Sequence, residues 1–366
     1  MRRFFKAIFW LVVVILLTPV AGLVYGFVTT SNVPAFPKTG SAPSVELQEQ
    51  TSGISGYYRP EESTFLTYPE WSIVYAAREY AQFVESNRES GFAYWSYIGR
   101  YWQDYALVIR ATRAYPFNVQ NHLMLVVIGT SHSIENAIQW AWENTIGRAT
   151  EMAAPSPVAA DTFQANTAAE YAAFLDQVPW YRFDYAEKRA GLWNTENASG
   201  RAAIRSWERK LAFGLSYSIK QAYAAAIASG LSATSDPALL DIHVWAKGPV
   251  ALAINGEPGT RMELDLGQDG AIFVTKRYQL FTEMVPRLIN RGLRIVEIGG
   301  NKLIFVTVLS DGPLTSLPGT SSLFSYPVPA DPETWRTGIV SPVGTLHETI
   351  PALQKSGATL EHIYDY

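Results

Sequence analysis

Apolar residues change their spacing twice along this chain, and each change marks a different kind of element. From Ala7 to Val28 they form a run in which Tyr25 is the only ionisable side chain. At about 1.5 Å of rise per helical residue, such a run crosses a hydrocarbon layer roughly 30 Å thick with some tilt. Arg2, Arg3 and Lys6 precede it, so the positive-inside rule keeps the N-terminus in the cytoplasm and exports the rest. Val20-Ala21-Gly22 offers a small-residue cleavage site, but apolar residues resume beyond it, which favours a retained anchor over a signal peptide.

After a stretch rich in Ser, Thr, Pro and Gly (29–58), read as a spacer, apolar positions recur every three or four residues. This predicts a helix from a capped start at Thr67-Tyr68-Pro69-Glu70 to about Glu85, and a second, aromatic one over Phe92–Arg113. Others are expected over Val119–Ile146, Asn166–Gln177 and Ala202–Ser229. The last is the one other stretch that resembles a membrane span. Lys220 in its middle and the basic residues before it argue against crossing.

Beyond a boundary at Ser232–Pro237 the spacing shifts to two. Asp241–Lys247 and Ala271–Tyr278 read as strands, Phe281–Asn290 as a helix, and Leu293–Ile298 and Leu303–Leu309 as strands. Asp311–Gly344 reads as a loop, Leu346–Lys355 as a helix and Thr359–Tyr364 as a strand. An order of strand, helix, strand, strand, helix, strand is the split βαβ, ferredoxin-like arrangement. The expected architecture is therefore α+β. A transmembrane anchor (1–28) and spacer (29–58) lead into an all-helical, aromatic-rich domain (59–233) and a ferredoxin-like domain (234–366).

Composition narrows the chemistry. A net charge of -4 with no basic face argues against a nucleic-acid partner, and the absence of cysteine removes disulfides, thiolate metal sites and cysteine nucleophiles. GxxxxGK[ST], HExxH and GxSxG do not occur.

Three groups of residues carry candidate chemistry. His132, Glu135, Gln139 and Glu143 share one face of the third helix, where Glu70 or Glu79 could add oxygen ligands to a metal. The bland alternative is a solvated polar face, with Ile134, Ala137, Ile138, Ala141 and Ile146 turned inward. Trp180, Tyr181, Arg182, Phe183 and Asp184 with Trp193 would suit a ligand or an interface; otherwise their rings finish a core and Asp184 caps the next helix. His243 and His362 lie on predicted strands and would approach one another if those strands were neighbours; otherwise they are half-exposed.

The expected function is a single-pass, exported protein of a bacterial-type inner membrane, its body periplasmic. It would act by binding, as an accessory subunit of an envelope complex, rather than as an enzyme. Trp and Tyr of the helical domain, Trp95 and Trp102 among them if exposed, would meet a protein partner. The alternatives are a membrane-tethered metal enzyme using the His132 stripe, and a carrier of lipid or another apolar ligand. No cofactor other than that metal is implied.

Overall fold

A computed structural model describes residues 2–36, 45–231, 240–314 and 317–366, leaving out most side chains between residues 2 and 12 and those of 45–48 and 228–231. The chain divides into two compact units, each built from separate segments. Met1–Thr29, Glu70–Asp104 and Leu123–Ser235 make a helical unit; Thr30–Pro69, Tyr105–His122 and Asp236–Tyr366 make a unit with all the strands described. The expected boundary at Ser232–Pro237 falls outside the described residues.

The helical unit begins with α1 (Arg2–Thr29). Among the described residues no helix is long and apolar enough to cross a membrane. Of the apolar run that predicts the anchor, the side chains of residues 7, 8, 10, 11 and 12 lie outside those described. Gly22 of α1 lies where the Trp102 indole fills the space a Cβ would need, and Gly99 admits the Tyr25 ring in the same way. These exchanges seat α1 on α5 (Tyr94–Ala111). Helix α4 (Tyr68–Ser86) starts at the predicted place with Glu70 in the first turn, but Thr67, expected to cap it, donates its hydroxyl back to the Ser63 carbonyl at 3.1 Å. The long third helix is α6 (Val119–Trp142), continued by a π-helical turn, Glu143–Gly147, and α7 (Arg148–Glu151). Helices α8 (Ala159–Leu175), α9 (Tyr185–Trp193) and α10 (Ala202–Leu231) complete the unit.

In the other unit, the stretch read as a spacer is packed where it is described. Val45–Ser52 is a short helix, α2, Phe36 is buried with its amide bonded to Ala111 O at 3.1 Å, and Tyr57 is buried. Residues 37–44 of that stretch lie outside the described residues. A single turn, α3 (Ser63–Leu66), joins through the Thr64 hydroxyl, which donates to Tyr364 O at 2.6 Å and accepts from the Phe305 amide at 3.0 Å.

The strands form two antiparallel four-stranded sheets where the sequence predicts one. In the first, β1 (Asp241–Lys247), α11 (Val250–Ile254), β2 (Arg261–Asp265), β3 (Ala271–Lys276), α12 (Gln279–Asn290) and β4 (Arg294–Ile298) give the spatial order β2-β3-β1-β4. The second holds β5 (Leu303–Ser310), β6 (Ser321–Val328), β7 (Asp331–Pro342), α13 (Leu346–Lys355) and β8 (Thr359–Tyr364), in the order β6-β7-β5-β8. The two orders are equivalent, strand for strand. Hairpin β6–β7 occupies the stretch expected to be a loop. Its Pro and Ser residues obscure the alternation, and Pro327 sits on edge strand β6, where a missing N–H is tolerated.

One core serves both sheets. Ile242, Val244 and Ala246 point into it from alternate positions of β1, Ile304, Val306 and Val308 from β5, and Phe281, Val285 and Leu288 from one face of α12. The opposite face of β1 is covered too, because Trp245 packs with Tyr57 and Ile272.

Candidate functional site

Two guanidiniums at the start of α10 are fully buried, a placement that water would oppose unless acceptors surround them. Arg209 meets Glu143 in a two-pronged pair, with both N–O distances 3.0 Å. It also donates to Glu89 Oε2 at 3.1 Å and, through Nε, to Glu208 Oε2 at 2.7 Å. One turn earlier, Arg205 reaches Asp161 Oδ1 at 3.0 Å, Glu89 Oε2 at 3.3 Å, Glu208 Oε2 at 3.2 Å and the Gly147 carbonyl at 3.2 Å. Glu151 lies 3.8 Å from Arg205, and Arg88 pairs with Asp161 at 3.3 Å.

Each member is delivered by a local device. Spacing of three and four residues puts Arg205, Glu208 and Arg209 on one side of α10. The π-helical turn carries Glu143 and the Gly147 carbonyl to Arg209 and Arg205, and a side chain at Gly147 would collide with the Glu143 carboxylate. Asp161, in the first turn of α8, accepts the Val158 amide at 3.0 Å while its carboxylate faces Arg205. Glu89 comes from a 3-10 turn, Glu89–Gly91, between α4 and α5. The polar run Ser86–Gly91 has the composition of a turn, so the burial of Glu89 has no local signal in the sequence.

Five carboxylates thus face three guanidiniums, a formal excess of two negative charges. Burial, the largest cause, and the neighbouring Glu143 push the Glu89 carboxyl up to about 7 against the pull of Arg209. Glu143 is also raised, again chiefly by burial. Oxygens of Glu89, Glu143 and Glu151 lie within 4.8 Å of one another, the spacing a cation would need. In the described structure Arg205 and Arg209 supply positive charge to that trio.

The predicted stripe on α6 is not one site. His132 is tied to Asn136, whose amide nitrogen lies 3.2 Å from Nδ1, and burial lowers its imidazole to about 4. Glu135 pairs with Lys220 at 2.6 Å, Gln139 donates to the Tyr80 hydroxyl at 3.1 Å, and Glu143 alone enters the network. Glu79 goes elsewhere, accepting from Tyr97 at 2.5 Å. The bland expectation for this helix holds at Glu135, which is exposed, but fails at Ile138, Ile146 and Glu143. Ile138 is 65% exposed and Ile146 is exposed, whereas Glu143 is 1% exposed.

That reversal extends along α10. Ile204, Trp207, Leu211, Leu215, Ile219 and Tyr223 are all exposed, at spacings of three and four, while Arg205, Glu208, Arg209 and Lys210 are buried behind them.

In the second predicted set, Trp180–Arg182 is a 3-10 turn and Asp184 caps α9, accepting the Glu187 amide at 2.9 Å. Phe183 joins a core with Tyr185, Phe213 and Tyr217, against which Trp180 and Tyr181 pack. Arg182 and Asp184 are exposed, and Trp193 lies edge-on to Trp207 at 6.1 Å. Of the tryptophans expected to contact a partner, Trp95 is exposed and pairs edge-on with Trp140, while Trp102 is buried and donates to Ser133.

His243 and His362 are buried rather than half-exposed, and they lie in different sheets. His362 Nδ1 is 3.0 Å from the Thr282 hydroxyl of α12. A feature the sequence does not signal is Glu297, 1% exposed on β4, which accepts from the Tyr57 hydroxyl at 3.2 Å and whose carboxyl is raised by burial.

No family model, no curated protein and no solved structure matches the chain.

Proposed function

We propose that this protein is tethered to a bacterial-type inner membrane by its N-terminal helix, with its body on the periplasmic side. It acts by binding, as an accessory subunit of a membrane complex. One observation carries the reading: the helical unit has charge paired inside and large apolar side chains outside on α6 and α10. Each such side chain left in water forgoes roughly 1.5–3 kcal/mol of burial. A face of this extent on a protein marks a surface that meets something apolar. The basic residues before the apolar run of α1 support the orientation, and the paired state of the buried ionic groups supports a structural rather than a catalytic use of them.

Purification of the full-length protein from its native membranes in mild detergent tests the proposal. A stoichiometric copurifying membrane protein is the expected result, and a protein that is extracted by salt alone and copurifies with nothing would refute it. Metal analysis of the same sample tests a second reading, favoured by the spacing of Glu89, Glu143 and Glu151, in which the network holds a cation. Stoichiometric metal lost on Glu143→Gln would support that reading.

The equivalent strand orders of the two sheets support a finer description of the strand-bearing unit as two ferredoxin-like halves in tandem, with α11 and α12 in the first and α13 in the second.

A further inference from the structure

We infer that the outer face of α10 lies against lipid acyl chains. The inference rests on the membrane-tethered reading above and narrows it, because it places the outer face of α10 in the bilayer rather than on the periplasmic side. From Trp207 to Ala226 every exposed position of α10 is uncharged: Trp207, Leu211, Leu215, Ile219, Gln221, Ala222, Tyr223, Ala225 and Ala226. At about 1.5 Å per residue that face is on the order of 30 Å long, the thickness of a bilayer's hydrocarbon core. Trp207 and Tyr223 stand toward its two ends, the ring types that favour the boundary between hydrocarbon and water.

The charges that make the helix as a whole too polar to cross a membrane are on its other side. Arg205, Glu208 and Arg209 are satisfied by the ion-pair network, Lys210 donates to the Thr195 carbonyl at 2.6 Å, and Lys220 is paired with Glu135. None of them has to enter lipid for the outer face to do so. Ionisable groups turned inward and apolar groups turned outward is the polarity of helices whose solvent is lipid. The same compact unit contains α1, whose Leu16, Leu17 and Val20 are exposed. It also contains α6, whose exposed Val127 and Ile138 add a second outward apolar face. A soluble partner would need a matching charge-free groove of the same length; acyl chains need no complementarity at all.

The chain has no cysteine, so single labels are placed without background. Nitroxides at Leu211→Cys, Leu215→Cys and Ile219→Cys would be measured in the full-length protein, reconstituted in vesicles of phosphatidylethanolamine and phosphatidylglycerol. A control label at the exposed Gln268 of the strand-bearing unit reports aqueous access. The expected result is relaxation several-fold stronger with oxygen than with a water-soluble nickel chelate at the three α10 sites, and the reverse at position 268. Nickel access at Leu211 and Leu215 would overturn the inference. So would shielding from both reagents, which would assign the face to a second copy of the chain. No partner is present in the vesicles, so loss of lipid contact with copurification intact sinks this inference alone.

Discussion

Arg209 and Glu143 form a two-pronged ion pair in which neither side chain reaches water, 66 residues apart in sequence. Such a pair contributes little net stability against an apolar replacement, yet breaking it leaves a bare buried charge. Arg209→Ala is therefore expected to cost the helical unit about 3–5 kcal/mol. Thermal or urea unfolding in detergent measures the loss. An Arg209→Met/Glu143→Gln double variant should lose much less than the two single changes added together, and simple additivity would show the pair to be uncoupled.

Glu89 makes stability depend on pH in the direction opposite to an ordinary paired carboxylate. Its folded value, about 7, lies above the ordinary 4.5. Between these values the folded state holds a proton that the unfolded chain has released. Stability should therefore be fully present below 4.5 and fall as pH rises through the window to 7, by roughly 1–3 kcal/mol. Glu89→Gln keeps an acceptor for both arginines and should flatten that slope. An unchanged slope in melting curves from pH 5 to pH 8 would reassign the titration to another group.

Gly129 faces the Tyr101 ring at a distance no Cβ could share. Gly129→Val is expected to displace that ring from its bond to the Leu125 carbonyl, 2.6 Å, at a cost of about 1–3 kcal/mol from overpacking. Gly53 meets nothing nearby, so Gly53→Ala is the control and should leave the melting temperature within error.

In the strand-bearing unit, one hydroxyl joins α12 to β8. Thr282 Oγ1 accepts the Ile363 amide at 2.9 Å and lies 3.0 Å from His362 Nδ1, all of them buried. Thr282→Val conserves shape but leaves the Ile363 amide without this acceptor, for an expected loss of about 1–3 kcal/mol. Hydrogen exchange of the Ile363 amide should accelerate in the variant, and unchanged protection would mean that the bond is dispensable.

Local rules were legible where neighbours in sequence are also neighbours in space. The start of α4 at Tyr68, the helix α12 and the Asp184 cap on α9 each depend on residues within a few positions. The α+β class and the change from helix to strand spacing follow from the same short-range periodicity. Hairpin β6–β7 was hidden because prolines and serines mask its alternation.

Which way a helix faces is a different kind of fact. The α6 pattern sets Ile138 apart from Glu143 but does not say which side has partners. Arg209, Glu89 and Asp161 settle that by surrounding Glu143 and Arg205 from other elements, which leaves Ile138 outside. In the same way β4 and β5, only a short turn apart, enter two different sheets because β4 pairs with β1, and β5 with β7 and β8. Sequence alone determined the long helices, the strands with clear alternation, the apolar N-terminal run and the lack of cysteine, since these depend on residue type and short-range spacing. Tertiary structure alone decided the inward charge network, the outward apolar face and the two sheets. Burial and strand pairing join residues that only the folded chain brings together.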